Sequence, residues 1–287
     1  MKPPIDMNRD FCSECRYHKM PHYECTHFMY HWFLERHEQY GRTCPLFEKK
    51  GSENMKPIYE PKGAAKEYGD LALNIYAGCP HRCFYCYVPQ VLHCDREKFH
   101  TDIRPRENII EETRKQLERE HITGKLIHLC FTCDPYPNGV DSSATRKIIQ
   151  LLKEYGNHVQ ILTKGNGARD LDLLDSEDWY GITLDGTETP SEYVRRTSAL
   201  VNAHEVGIKT WVSFEPVVNA LEVIKDISKL ARVPAVDKVK IGKLNYHDSD
   251  IDWAEFGRVA EDTCIGCNLD YYIKDSLRKC MEKERNE

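Results

Sequence analysis

Cys79, Cys83 and Cys86 stand on one short stretch, Asn74-Ile75-Tyr76-Ala77-Gly78-Cys79-Pro80-His81-Arg82-Cys83-Phe84-Tyr85-Cys86-Tyr87. Three soft thiolates on a single loop suit a cubane iron–sulfur cluster. Three protein ligands leave the fourth iron free, and a metal with an open position can bind and activate a small molecule. The competing reading is a structural zinc site completed by His81 or His93, for which this spacing is uncommon.

The other cysteines are also bunched. Of thirteen in the chain, Cys12, Cys15, Cys25 and Cys44 form an N-terminal set. Four thiolates are the count for a closed tetrahedral zinc or for a second iron–sulfur cluster. The alternative is a group of reduced structural cysteines in a partner-binding module. Cys264, Cys267 and Cys280 supply three more, either an auxiliary cluster or an unligated set. The opening residues hold no hydrophobic stretch fit for a secretory signal, so metal or redox chemistry outweighs a disulfide framework.

Composition narrows the classes. The formal net charge of −6 argues against nonspecific coating of nucleic acid. It leaves room for a local basic patch, with Arg195-Arg196 and Arg104-Pro105-Arg106 as candidates. No apolar run approaches the ~18 residues that cross a bilayer. The expectation is a cytoplasmic protein with no membrane attachment.

The elements that must position these residues follow from periodicity. Residues 1–50 read as a Cys/His-rich metal-binding module, 51–68 as a linker, 69–250 as the core and 251–287 as a C-terminal extension. Strands are expected at Leu71–Ala77, Leu126–Cys133, His158–Thr163, Trp179–Leu184, Lys209–Phe214 and Val236–Ile241. Helices are expected at Glu107–His121, Ser142–Tyr155, Ala168–Leu174, Ser191–Val206 and Leu221–Leu230. Alternating βα units imply an α/β fold with a parallel sheet. Six units predict a partial (β/α)6 barrel of the TIM type, with the small Cys-rich N-terminal module and a helical C-terminal extension. Such barrels place chemistry at the C-terminal ends of the strands.

CxxxCxΦC after the first strand of a βα series, with aromatic Tyr85 before the last cysteine, resembles the signature of radical S-adenosylmethionine enzymes. The resemblance implies a [4Fe-4S] cluster on Cys79, Cys83 and Cys86. It also implies S-adenosylmethionine as cofactor, split reductively to a 5′-deoxyadenosyl radical, with an electron carrier such as flavodoxin or ferredoxin as partner. The cofactor does the hard step, while the protein orients and shields it.

Further stretches, over about residues 70–245, resemble the spore photoproduct lyase-like branch. Tyr85 and Tyr87 flank the last cluster cysteine, where that branch is thought to relay a hydrogen atom. Thr132-Cys133-Asp134 is similar to the branch's Thr-x-Asp segment. Thr163-Lys164 ends a strand where the branch's lysine meets the cofactor carboxylate. These positions imply that Tyr85, Asp134, Thr163 and Lys164 bind cofactor; Thr183 and Glu215, at the ends of later strands, are further cofactor candidates, Glu215 alternatively binding substrate or capping. The branch's hydrogen-donating cysteine is replaced here by Phe131. If the extended conformation continues, Cys133 shares the face of Phe131, either as a displaced donor or as small lining of the pocket, the alternative being that Cys130 and Cys133 are both buried core thiols.

The resemblance implies hydrogen abstraction from a modified or damaged pyrimidine in DNA, for repair or rearrangement, as a lyase or isomerase. Such an enzyme must flip its target base out of the duplex. The alternatives are radical modification of a peptide or free nucleoside, and a non-catalytic zinc-binding interaction protein.

Overall fold

Side chains alternate across a strand, and here that alternation separates an apolar face from a polar one. The computed structural model describes residues 56–283. Its first half contains β1 (Ile58–Tyr59), β2 (Leu71–Leu73), β3 (Tyr76–Ala77), α1 (Val88–Val91), α2 (Arg96–Thr101) and β4 (Arg104–Pro105). Next come α3 (Ile109–Glu120), β5 (Leu126–Leu129), α4 (Ser143–Glu154), β6 (His158–Thr163) and β7 (Trp179–Thr183). The series continues with α5 (Pro190–Glu205), β8 (Lys209–Phe214), α6 (Ala220–Leu230), β9 (Lys238–Ile241), α7 (Trp253–Gly266), β10 (Tyr271–Ile273) and α8 (Asp275–Lys283).

Eight strands form one sheet in the order β1-β2-β5-β6-β7-β8-β9-β10. Every neighbouring pair is parallel except β1–β2. The register aligns one apolar row: Leu73 beside Leu129, Leu129 beside Ile161, Ile182 beside Val212, Val212 beside Val239, and Ile241 beside Ile273. All are buried in the hydrophobic core with Ile148, Leu152, Leu200 and Ile227 of the helices. Burying each such side chain contributes roughly 1.5–3 kcal/mol. The opposite face carries His128, Gln160, Gly181, Thr183, Trp211, Ser213, Lys240 and Tyr272. The polar side chains on this face are the residues available for chemistry.

Local sequence fixes the helix starts. Thr189 and Glu192 form a reciprocal capping box with Pro190 in the first turn of α5. Asn219 caps α6 and Asp252 caps α7 by accepting backbone N–H groups. On the polar face the Trp211 indole donates to the Ile161 carbonyl at 3.0 Å, passing over Gly181. A Cβ on Gly181 would lie 2.2 Å from the indole nitrogen, so only glycine fits there.

Four expectations are corrected. Leu71–Ala77 divides into β2 and β3, and β3 pairs with β4 outside the main sheet. Leu126–Cys133 ends as a strand at Leu129, because Cys130 turns the chain with φ of +73°. Ala168–Leu174 is a 3-10 helix over Ala168–Leu173, entered from Gly167 and anchored by buried Asp170. The C-terminal stretch expected to be helical also supplies β10 to the sheet. The described part of the stretch expected as a linker contributes β1 and a 3-10 turn at Gly63–Glu67. Cys12, Cys15, Cys25 and Cys44 lie outside the described residues.

Candidate active site

The cysteine loop leaves β3 through Gly78, whose φ of +81° and close approach to the carbonyls of Phe99 and Asp102 exclude a Cβ. Helix α2 then clamps the loop. The Cys79 N–H donates to the Phe99 carbonyl at 3.0 Å, and His100 Nδ1 contacts the Cys79 carbonyl at 2.7 Å. The Arg96 guanidinium donates to the carbonyls of Cys83 (2.6 Å), Phe84 (3.0 Å) and Cys86 (3.0 Å). With its backbone groups tied down, the loop leaves Cys79, Cys83 and Cys86 as half-buried free thiols.

Burial, with Asp134 nearby, pushes the Cys79 thiol well up, and burial also raises Cys86. Thiolates at these positions therefore call for a compensating cation. Among the described residues, only His158, Asp175 and Asp178 bring three ligand atoms within 4.8 Å of one another. Lys153 already sits there, 2.6 Å from both carboxylates. Cys79, Cys83 and Cys86 are not among such groups. Three thiolates on one loop suit a cluster in which each holds a different iron. Cys264 is fully buried, Cys267 is half-buried, and the Cys280 thiol contacts the Ser276 carbonyl.

Tyr85 reaches from this loop to the strand ends. Its hydroxyl donates to Asp185 Oδ2 at 2.5 Å, Lys164 Nζ donates to the same oxygen at 2.5 Å, and Lys164 also bonds the Tyr85 hydroxyl. The ammonium lies 5.1 Å from the Tyr85 ring centre. Burial alone would raise the Asp185 carboxyl, but Lys164, with Thr187 and Tyr85, holds it at about 2. The Tyr85 hydroxyl is pushed well up by burial, then by Cys83 and Asp185, so it stays a phenol. Sequence reasoning missed Asp185. An acid just past a strand end, in Asp185-Gly186, was the available signal.

Asp134 is buried and accepts from Tyr136 N (2.7 Å), Thr163 Oγ1 (2.5 Å) and Lys164 N (2.8 Å). His81 Nε2 of the cysteine loop lies 3.0 Å from Oδ2, the oxygen that also accepts from Lys164 N. Burial would raise this carboxyl, and the His81 and Thr163 contacts instead bring it below its usual range. Asp134 and Thr163 thus form a brace that ties the cysteine loop to the end of β6.

Glu215 belongs to a second polar group. Tyr68 OH donates to Glu215, and Lys274 Nζ donates to the same carboxylate at 2.7 Å. Lys240 Nζ donates to the Glu67 carbonyl at 2.9 Å and lies over the rings of Tyr68, Trp211 and Tyr272. Burial, then Lys274, lowers the Lys240 ammonium to about 8. Burial, then Lys240, holds His128 near 3, so its ring is neutral and stacks on Phe131 at 4.3 Å. Tyr68 and Lys274 were not among the expected site residues, since they come from the segments flanking the expected core.

The remaining candidates are dispersed. Thr183 is buried on the polar face beside Ser213, and its carbonyl accepts from Arg196 at 2.8 Å. Tyr87 is 44% exposed. Strand β5 ends at Leu129, so Phe131 and Cys133 both lie past it, in the turn that Cys130 opens. The Cys133 sulfur accepts from Tyr76 N at 3.4 Å.

A family model described as the radical SAM superfamily matches residues 73–232. The chain belongs to the radical SAM superfamily. Membership implies S-adenosylmethionine and an iron–sulfur cluster, and the thiol loop fits the latter. A curated relative, the uncharacterized protein ORF301 of Acidianus two-tailed virus, is 27% identical over 197 residues. That match covers 59% of this chain and 64% of the relative, so this radical SAM chain spans just under two thirds of the relative's length. A solved structure of SuiB from Streptococcus suis, bound to S-adenosylmethionine, aligns with a TM-score of 0.33 and 13% identity. The alignment covers 65% of this chain and 61% of SuiB, a likeness too low to carry an argument. Among the described residues no helix is long and apolar enough to cross a membrane.

Proposed function

We propose that this radical SAM protein splits S-adenosylmethionine reductively and uses the resulting 5′-deoxyadenosyl radical to take hydrogen from a modified or damaged pyrimidine in DNA. The observation that carries the reading is the convergence of Tyr85, Lys164 and Asp185 directly beside the three-thiol loop. The [4Fe-4S] cluster, held by Cys79, Cys83 and Cys86, would supply the electron and an open iron for the methionine end of the cofactor.

The chain's own residues bind and orient. Lys164 offers the cation for the cofactor carboxylate. Asp185 offers an acceptor for its ammonium or hydroxyl groups, and already holds both Lys164 and Tyr85 in place. Asp134 keeps the loop and the β6 end in one geometry through His81, Thr163 and Lys164 N. Preorganisation of this kind keeps the reacting carbon aligned and water out.

The polar face below would take the substrate. The segment preceding β2 reaches β6, β8, β9 and β10 through Tyr68, Glu67 and Ala64, which supports a sheet curled as a partial barrel. A pyrimidine is favoured by the Tyr85/Tyr87 pair and by the rings of Tyr68, Phe131 and Trp211 on this face. A low-potential carrier such as flavodoxin or ferredoxin would deliver the electron.

The test is anaerobic. Reconstituted protein with dithionite and S-adenosylmethionine should form 5′-deoxyadenosine, and faster with DNA carrying modified pyrimidines. No 5′-deoxyadenosine from a brown, iron-loaded preparation defeats the radical reading. Equal rates with and without such DNA defeat the substrate reading alone.

A further inference from the structure

Lys164 and Asp185 lie on different loops, after β6 and after β7, so chain continuity does not hold them in register. Each is anchored through its backbone. The Lys164 N–H donates to Asp134 Oδ2 at 2.8 Å, and the Lys164 carbonyl accepts from Arg196 Nε at 3.1 Å. On the other loop the Asp185 N–H donates to Glu188 Oε1 at 2.9 Å, and the Gly186 N–H donates to Glu188 Oε2 at 3.0 Å. The Asp185 carbonyl accepts from the N–H groups of Val218 and Asn219 at 2.9 and 3.2 Å. Thr187 N donates to Asp185 Oδ1 at 3.1 Å, while Oδ2 is the oxygen that meets Lys164 and Tyr85.

The two anchors meet in one ion pair. Arg196 Nη1 donates to Glu188 Oε1 at 2.8 Å, and also to the Thr183 carbonyl at the end of β7 at 2.8 Å. Both side chains are buried, at 5% and 4% exposure. A guanidinium holds its donors in a rigid fork, so Nε and Nη1 fix the Lys164 and Thr183 carbonyls relative to each other. Breaking such a buried pair would leave a charge uncompensated away from water, which keeps the geometry closed.

We propose that Arg196 and Glu188 are positioning residues, whose ion pair sets the separation of Lys164 and Asp185 and with it the affinity for the methionine end of the cofactor. Both act through backbone atoms of the two loops. The affinity rests on the cofactor role given to Lys164 above; the spacing does not.

Arg196→Lys keeps a charge opposite Glu188 but has one nitrogen in place of the fork, so it separates charge pairing from positioning. The first measurement uses no cofactor. Full-length, iron-loaded protein is labelled briefly and anaerobically with acetic anhydride, then digested with trypsin. Acetylated Lys164 resists cleavage and is read on residues 154–169. Lys164 should label severalfold faster in Arg196→Lys, with the other lysines at wild-type rates. An unchanged rate at Lys164 overturns the proposal, and so does faster labelling of every lysine, which marks general loosening. The second measurement is equilibrium dialysis of labelled S-adenosylmethionine in wild-type and Lys164→Met backgrounds. Arg196→Lys should weaken binding about tenfold in the first and add nothing in the second, because residues that act through one another are not additive. An equal loss in both backgrounds overturns the link from the pair to Lys164. Unchanged binding in Lys164→Met defeats the cofactor role of Lys164, while the labelling still decides the spacing. Glu188→Gln, which removes one of the two acceptor oxygens without adding bulk, carries both measurements should Arg196→Lys fold poorly.

Discussion

The Lys164 ammonium and the Asp185 carboxylate meet at 2.5 Å between the ends of two adjacent strands, and the Tyr85 hydroxyl of the cysteine loop bonds both. A ligand carboxylate must take Lys164 from Asp185 or share it. Lys164→Met should weaken S-adenosylmethionine binding at least about tenfold, the equivalent of ~1.4 kcal/mol. Asp185→Asn, which leaves the cation in place, should weaken it less. Equilibrium dialysis of labelled cofactor on iron-loaded protein checks both, and unchanged binding in Lys164→Met removes the assigned role.

The same pair gives a pH dependence. Asp185 titrates at about 2 in the folded chain, below the usual 3.8 of a free carboxyl. Its contribution is present above pH ~4 and is lost as the pH falls toward 2. The contribution is on the order of 2 kcal/mol. The gap in urea stability between wild type and Asp185→Asn should therefore narrow steadily from pH 5 down to 3.

Lys240 has the opposite sign. Its folded ammonium titrates at about 8 rather than 10.5. Between those values the unfolded chain keeps a proton that the folded chain has released, so the folded state gains as the pH rises. Wild type should gain stability relative to Lys240→Met between pH 8 and 10, measured by chemical denaturation. A pH-independent difference would mean that Lys240 titrates normally.

Gly181→Ala should be costly for a mutation that adds one methyl group. The new carbon would meet the Trp211 indole at 2.2 Å, and the indole cannot move without breaking its bond to the Ile161 carbonyl. A loss of roughly 1–3 kcal/mol is expected, with altered Trp fluorescence.

Arg96→Ala frees the carbonyls of Cys83, Phe84 and Cys86 at once. The guanidinium is exposed, so the loop should lose only about 1–2 kcal/mol. Iron retained after chelator challenge should fall, while the far-ultraviolet circular dichroism stays unchanged.

The chemistry-bearing loop was legible because thiol spacing is local information. Lys164 was legible too, as a cation at a strand end. Asp185 was hidden by its Asp-Gly context, which reads as a turn. Asp134 was assigned to cofactor, yet its oxygens serve backbone and side-chain donors of the protein. The strand limit at Leu129 could not be read from residue types, since a left-handed cysteine is imposed by contacts from Leu73 and Asn74. Tyr68 and Lys274 were invisible for a further reason: they meet Glu215 from 147 and 59 residues away.

That last contact sets an order in time. Glu215, just past the end of β8, is made before Lys274, and translation adds only about 5–20 residues per second. Until β10 docks, Glu215 has its Tyr68 hydroxyl but not its Lys274 ammonium, and β9 is a bare sheet edge. Among the described strands β10 is the closing bolt: it covers the β9 edge and brings Lys274 to Glu215 in one movement.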